Sequence, residues 1–426
     1  MDLSKHFDQL LAKHWDFLDK GWPSMIPSKK HRSELQEVGF ITHIKETLYK
    51  RLGAIPVYFF LIMIWPNSEY AGPYRAVEKG LAILYHIVKG LSMAEMDPFI
   101  AKSSFYLIHA QFYNKEHYTH NKYINNCLAT MFSNITIRLL TSREKNPQLF
   151  KQVTLHLDGH DTRATYAGEN SAEMYSYKLK RSGLRTQVVM DCNGMALWVS
   201  KSAPCQKNPD GTMLLEMKLD RNVHELDCIA VDGGYTQFLK KVVQVSDKFS
   251  EQNFVHPIRK SRNKDLTEEE SAYNSTFGSF RSQMESLFGE LGNIFEKHNN
   301  RKPVLVAKKE TYNLQMKLAL LLLNIKKMVA LLKIPTEPIH TAWLRDGFDY
   351  PTTQKGLEQP MEYVDISTLI DEGHAMATLQ DSFLSLAVGD VDTTMGAPQR
   401  KQSNIVIEIP PKKKRQRNVA EEHDDL

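Results

Sequence analysis

The chain has 426 residues, of which 42% are hydrophobic and 24% charged, enough apolar material to bury a large core and form one to three domains. Its 54 basic and 50 acidic residues leave a formal charge of +4, which permits a polyanionic partner and excludes the heavily charged, core-poor composition of disordered chains. Cys127, Cys192, Cys205 and Cys228 form no CxxC pair and match no structural zinc spacing, so free thiols in a reducing compartment are expected.

Taken in chain order, residues 1–75 mix aromatic stretches with Pro and Gly breaks and carry no assignable role. The most apolar run, Ala54 to Trp65, is shorter than the ~20 residues a spanning helix needs and reads as a buried element. No membrane partner is expected, and the charged, amphipathic N-terminus is no secretory signal. Residues 76–150 turn helical. AVEKGLAILYHIVKG carries apolar residues at i, i+3, i+4 and i+7 and stops at Gly90. Ser92 and Glu95 fit a capping box for a short helix, and Ser103 is placed to cap a third. The succession matches either a helix-turn-helix or an ordinary bundle.

From about residue 151 to 333 the periodicity becomes that of an α/β unit. VTLHLDG (153–159) alternates, TQVVMDCNGMALWVS (186–200) reads as two strands joined at Asn193-Gly194, and LDCIAVDGGY (226–235) reads as a buried strand ending in a turn. MLLEMKL (213–219) has helical spacing, NFVHPIR reads as one more strand, and a long helix follows LTEEE. Beyond Ile334 the composition shifts to Pro, Thr, Asp and Gln, and residues 334–426 are expected to be mostly disordered.

Three acids stand out on this outline. Asp158 is expected to close the first strand and Asp232 the later buried one, while Glu285 lies on the long helix. A hydrophobic strand ending in Asp-Gly places a carboxylate at the sheet's carboxyl edge, where ligands of α/β folds gather. Oxygen-only donors suit Mg2+ or Mn2+. Two such ions ~3.5–4 Å apart activate a water or a 3′-hydroxyl and stabilise the departing oxygen in phosphoryl displacement. In that scheme Asp158 bridges both ions, and Asp232 and Glu285 complete one each. Singly, each acid has a plainer reading as a turn or a solvated helix residue. The order strand, strand, helix is what sets them apart.

These residues carry a resemblance. LDGHD (157–161), YSYKLKRSGLRTQVVMDCNGMALWVS (175–200), VDGGY (231–235) and FGSFRSQMESLFGEL (277–291) resemble the DDE transposases of the PIF/Harbinger superfamily, over about residues 76–332. The last stretch places Arg281, Phe288 and Gly289 around Glu285, with Asn274 upstream. The resemblance implies a ribonuclease H-like core, a mixed sheet flanked by helices, behind a helical N-terminal region. It also implies divalent metal dependence, DNA cleavage and joining, and Asp158, Asp232 and Glu285 as ligands. Arg281, one turn before Glu285, is implied to orient that Glu or to hold a phosphate; a surface ion pair between the two is the plainer alternative. Two positions depart from the family: Gly292 stands where a basic residue is usual, and NPDG replaces the usual Pro-Gly then Ser/His-Asp arrangement, with Asp210 at the Asp position. A domesticated, non-catalytic DNA-binding or scaffold protein would share this pattern.

Basic clusters suit phosphate contact: Lys178, Lys180, Arg181 and Arg185 before the hairpin, and Arg259, Lys260, Arg262 and Lys264 after the last strand. Lys412, Lys413, Lys414, Arg415 and Arg417 form a run expected to act as a nuclear localisation signal. His156 alternates with Asp158 and shares its face, where a packed core histidine is expected; His160 stands nearer the acids. DNA is the expected partner, with a separate DNA-binding protein and homo-oligomerisation as further expectations.

Overall fold

The computed structural model describes residues 38–65, 74–115, 124–129, 134–165, 171–260 and 265–348. An eight-stranded mixed sheet is built around one strand, β1 (Leu155–Thr165). β3 (Arg181–Asp191) runs antiparallel to it, with Asp158 opposite Val188 and Asp161 opposite Arg185. On its other side lies β6 (Ile229–Val231), parallel, and beyond that β7 (Phe254–Val255). β2 (Tyr175–Ser176), β4 (Ala196–Val199) and β5 (Ala203–Pro204) all pair with β3, and β8 (Val304–Leu305) pairs with the far end of β1. The Asn193-Gly194 turn is where the sequence placed it, with Gly194 at φ 76°.

Helices α1 (Val38–Leu52), α2 (Ala54–Phe59), α3 (Ala76–Lys89) and α4 (Lys102–Ala110) precede the sheet, and α5 (Ile135–Lys145) leads into it. α6 (Asp210–Met217) and α7 (Thr236–Val245) flank β6. Two long helices follow, α8 (Glu268–Ile294) and α9 (Lys309–Leu331). α9 is rich in leucine and buried all round from Leu314 through Ile325, with Gln315, Lys317 and Asn324 enclosed as well. Of its buried amides, Asn324 is clipped to edge strand β4: Nδ2 donates to the Ala196 carbonyl at 2.7 Å and Oδ1 accepts from its N–H at 2.9 Å. The apolar run at Ala54 is α2, continued by a π-helical turn to Ile64, and is buried in the same core as α3, α8 and α9. Trp65 closes that core over Gly80, where a Cβ would stand 2.7 Å from the indole, so only glycine permits this approach. Among the described residues no single helix is long and apolar enough to cross a membrane.

Several expectations need correction. The strand carrying Asp158 does not close there but continues to Thr165, because β3 goes on pairing with it through Arg163 and Asn300 and β8 take up its far end. Ser92 and Glu95 do exchange the reciprocal bonds of a capping box, but turns follow them rather than a helix. The next helix starts at Lys102, whose N–H is taken by Asp97 Oδ1 at 2.9 Å, and Ser103 lies inside it. Of NFVHPIR only Phe254 and Val255 are strand, since Pro257 cannot donate to a ladder. The fold also continues past Ile334: Trp343 is fully buried and donates to the Ala54 carbonyl at 3.2 Å.

One buried cluster fixes how β1 meets β6. Arg138 and Asp227 form a two-pronged ion pair, Nε to Oδ1 at 2.9 Å and Nη2 to Oδ2 at 2.5 Å, with both side chains almost wholly buried. Asp227 also accepts from the Thr154 hydroxyl at 2.7 Å, and that hydroxyl accepts from the Cys228 N–H at 3.1 Å. Thr154 and Cys228 immediately precede the two parallel strands.

Candidate functional site

The β1–β6 register pairs Leu155 with Ile229 and Leu157 with Val231. The next residues on the two strands are Asp158 and Asp232, so the parallel ladder brings these acids abreast. Asp232 ends its strand and caps the 3-10 turn Gly233–Tyr235, its Oδ1 accepting from the Gly233 N–H at 2.7 Å. Asp158 likewise takes the Gly159 N–H at 2.8 Å. Their settings differ. The Asp158 side chain is 11% exposed and that of Asp232 54%.

Arg281, on α8, joins the two. Its Nη2 is 3.5 Å from Asp158 Oδ2 and its Nη1 4.0 Å from Asp232 Oδ1. The surface ion pair between Arg281 and Glu285 is therefore not what the fold uses. Burial raises the Asp158 carboxyl above its ordinary range, while the Arg281 and Lys178 charges and the Gly159 N–H pull it down and Asp232 pushes it up again. Glu285 lies one helical turn beyond Arg281 and is exposed. Among the described residues no three His, Cys, Asp or Glu side chains converge closely enough to hold a metal ion. The structure thus unites two of the three acids singled out in the sequence and leaves the third at the surface of a neighbouring helix.

A further acid closes in from α6. Asp210 Oδ1 would stand 2.9 Å from a Cβ on Gly159, so the glycine after Asp158 is what admits it. Arg185 orients it, Nη1 to Asp210 Oδ1 at 3.2 Å, while gripping Asp161 through Nε at 2.7 Å and Nη2 at 2.9 Å. Burial raises the Asp210 carboxyl, Arg185 opposes that, and Asp161 and Asp158 reinforce it. Asp210 was readable in the sequence through NPDG, but nothing there placed it beside Gly159. Arg185 in turn is a structural bridge rather than a free phosphate contact.

Lys178, Lys180 and Arg181 are exposed around the β2–β3 turn. Arg259 instead donates to the Gly233 carbonyl and braces the Asp232 turn, and Lys260 pairs with Asp265. Asn274 holds the same segment, exchanging two 2.8 Å bonds with the Ile258 backbone. Arg262 and Lys264 lie outside the described residues, as do Lys412, Lys413, Lys414, Arg415 and Arg417. Gly292 is buried against Asn299, with atoms 3.3 Å from where a Cβ would sit, which accounts for the missing basic side chain there.

The histidines belong to the packing between β1 and α8. His156 is fully buried with its ring 4.6 Å from that of Phe280, and burial depresses it to about 4. His160 packs on Phe288 at 4.8 Å and is likewise depressed to about 4, first by burial and then by Lys178. Both are neutral near pH 7. All four cysteines are free.

Residues 158–324 match the family described as DDE superfamily endonuclease, a stretch that opens on Asp158 and takes in Asp232, Arg281 and Glu285. No curated protein and no solved structure matches the chain. The mixed α/β architecture, a sheet flanked by helices, is compatible with that nuclease family.

Proposed function

We propose that this chain is a DDE-type endonuclease of the PIF/Harbinger kind, with a ribonuclease H-like core that cuts DNA phosphodiesters and joins the resulting 3′-hydroxyl to a target. The observation that carries the reading is the placement of one guanidinium against both Asp158 and Asp232, within the stretch that matches the nuclease family. Paired carboxylates that already face a common cation have the donor chemistry of a hard-metal site. Asp158 and Asp232 would hold Mg2+ or Mn2+, two ions in the full scheme, and Glu285 would join them from α8. The chemistry supplied by bound divalent ions is Lewis-acid activation of the attacking hydroxyl and stabilisation of the departing oxygen.

The chain's own residues do the rest. Arg281 gives up the acids and meets phosphate charge instead. Lys178, Lys180 and Arg181 contribute sequence-independent contacts to the DNA backbone. A separate DNA-binding protein and a second copy of the chain belong to the same proposal, as partners that would select and align the ends. Nuclear import through Lys412–Arg417 completes it: a fluorescent fusion is expected in the nucleus, and deletion of residues 412–417 is expected to leave it cytoplasmic. Unchanged nuclear accumulation after that deletion would refute the import signal.

The test of the activity is nicking of supercoiled plasmid by the purified chain in Mg2+ or Mn2+, compared with Asp232→Ala. Cleavage by wild type and none by the variant is the expected result. Cleavage unaffected by the change would sink the site assignment. One observation favours a second reading, a non-cleaving DNA-binding protein that has kept the transposase fold: Glu285 stands exposed rather than gathered with the two aspartates. Binding without cleavage under both metals would select it.

A further inference from the structure

We infer that the turn from Tyr175 to Arg181 is a stacking platform for an unpaired nucleotide, set beside the Asp158–Asp232 pair. This rests on the proposed nuclease reading for its substrate class and deepens it, from DNA in general to a strand with a base out of the duplex.

The turn is built in two layers. In β2 Ser176 is buried and Tyr175 exposed, as alternate strand residues are, and Tyr177, the first residue of the turn that follows, is exposed as well. Ser176 is buried: its hydroxyl donates to Asp161 Oδ2 at 2.6 Å and accepts from the Leu179 N–H at 3.0 Å. That anchors the turn to β1. The outer layer is the reverse of what a surface turn needs for its own stability. Tyr175 is 37% exposed and Tyr177 66% exposed, their rings perpendicular with centroids 5.2 Å apart. Together with Ala172, Arg181, Ser182 and Gln206 they line a shallow groove of about 630 Å3.

Charge identifies the occupant. Arg181 lines the groove, Lys178 and Lys180 follow Tyr177 in the same turn, all three are exposed, and the acid nearest in sequence, Glu173, is neutralised by Lys207 at 3.1 Å. Exposed aromatic faces interleaved with cations are what a single strand requires: rings for the bases and positive charge for the phosphates. A duplex, with its bases stacked inside, would use the cations and leave the rings idle. Lys180 sits at φ 55°, a backbone region that residues other than Gly, Asn and Asp seldom adopt.

Position ties the platform to the acids. Ser176 contacts Asp161, three residues along β1 from Asp158, or about 10 Å at ~3.3 Å per residue. Lys178 lies close enough for its charge to favour the ionised forms of both Asp158 and Asp161.

The experiment is fluorescence anisotropy with the full chain in EDTA, using a labelled single-stranded 20-mer and the same sequence as a duplex. Tyr177→Ala is expected to weaken single-strand binding about tenfold and duplex binding less than about twofold, in line with the loss of one stacked base. Tyr177→Trp should restore the single-strand affinity. Lys180→Ala should weaken both ligands alike. Equal losses for the two ligands with Tyr177→Ala, no loss, failure of Trp to rescue, or no single-strand binding by wild type would each overturn the platform. Tyr177 is a surface residue, and matched thermal midpoints would show that the variants fold. The outcome is separable from the cleavage test. A chain that binds single strands through Tyr177 but never cuts keeps the platform and loses the nuclease, and a chain that cuts with Tyr177→Ala unaltered in binding does the converse.

Discussion

Asp158→Ala is expected to abolish metal-dependent cleavage while leaving the folded protein at least as stable as wild type. Electrostatic stabilisation by a metal site contributes several kcal/mol to a phosphoryl-transfer barrier, and about 4 kcal/mol corresponds to roughly a thousandfold in rate. The stability half of the expectation comes from burial. Asp158 is 8% exposed, and its carboxyl is raised by desolvation despite Arg281, Lys178 and the Gly159 N–H. A raised acid binds its proton more tightly folded than unfolded, so its ionisation opposes folding as pH climbs above the ordinary carboxylate range. The advantage of the alanine variant should therefore grow between acid and neutral pH. Arg281 retains Asp232 as a partner in the variant. Plasmid nicking and thermal melts across pH measure the two halves. A variant that melts well below wild type at pH 7 would make Asp158 a structural residue, and loss of nicking would then say nothing about chemistry.

Asp227→Ala is the largest stability change expected in the sheet, about 3–5 kcal/mol. It removes the two hydrogen bonds that Arg138 makes to Asp227 in a site where the side chain is 1% exposed, and it releases the Thr154 hydroxyl and the His224 N–H from Asp227 as well. Removing one partner of a buried ion pair is far costlier than the pair is worth, so replacing both partners, Arg138→Met with Asp227→Leu, should cost less than Asp227→Ala alone. Urea denaturation of the two variants checks this. If the single change costs under about 1 kcal/mol, a value ordinary for a surface pair, the cluster does not hold the strands as described.

How much was legible in the sequence follows from which forces act locally. The NG hairpin and the α3 helix stopping at Gly90 were readable, because turn chemistry and 3.6-residue periodicity are written within a few residues, and the long helix was readable except for its start, which lies at Thr267 rather than after LTEEE. Asp158 and Asp232 were readable as a pair because each ends an apolar run in Asp-Gly. The length of β1 was not, since past Asp158 it depends on continued pairing with β3 and, at its end, on Asn300 and Val304, well over a hundred residues away. Arg281 was read as a partner of Glu285 because they share a helix face. Its actual partners lie on two strands, and their combined charge outweighs one exposed carboxylate. Asp210 shows the same gap: the motif marked the residue, but its approach to Gly159 depends on how α6 packs and on Arg185 reaching across from β3. Trp343 lay in a segment whose average composition argues against order, and a single indole filling a space against Ala54 overrides an average.

The parallel register has one more implication. The two aspartates meet because the backbones beside them are locked four and five residues upstream, at Thr154 and Asp227, and not because anything at the pocket itself draws them together. The carboxylate pair is thus inherited from the scaffold, and exposed side chains away from Arg281 and Glu285 are free to be exchanged without the pair coming apart. Engineering of specificity on the tyrosine turn can proceed independently of the acids.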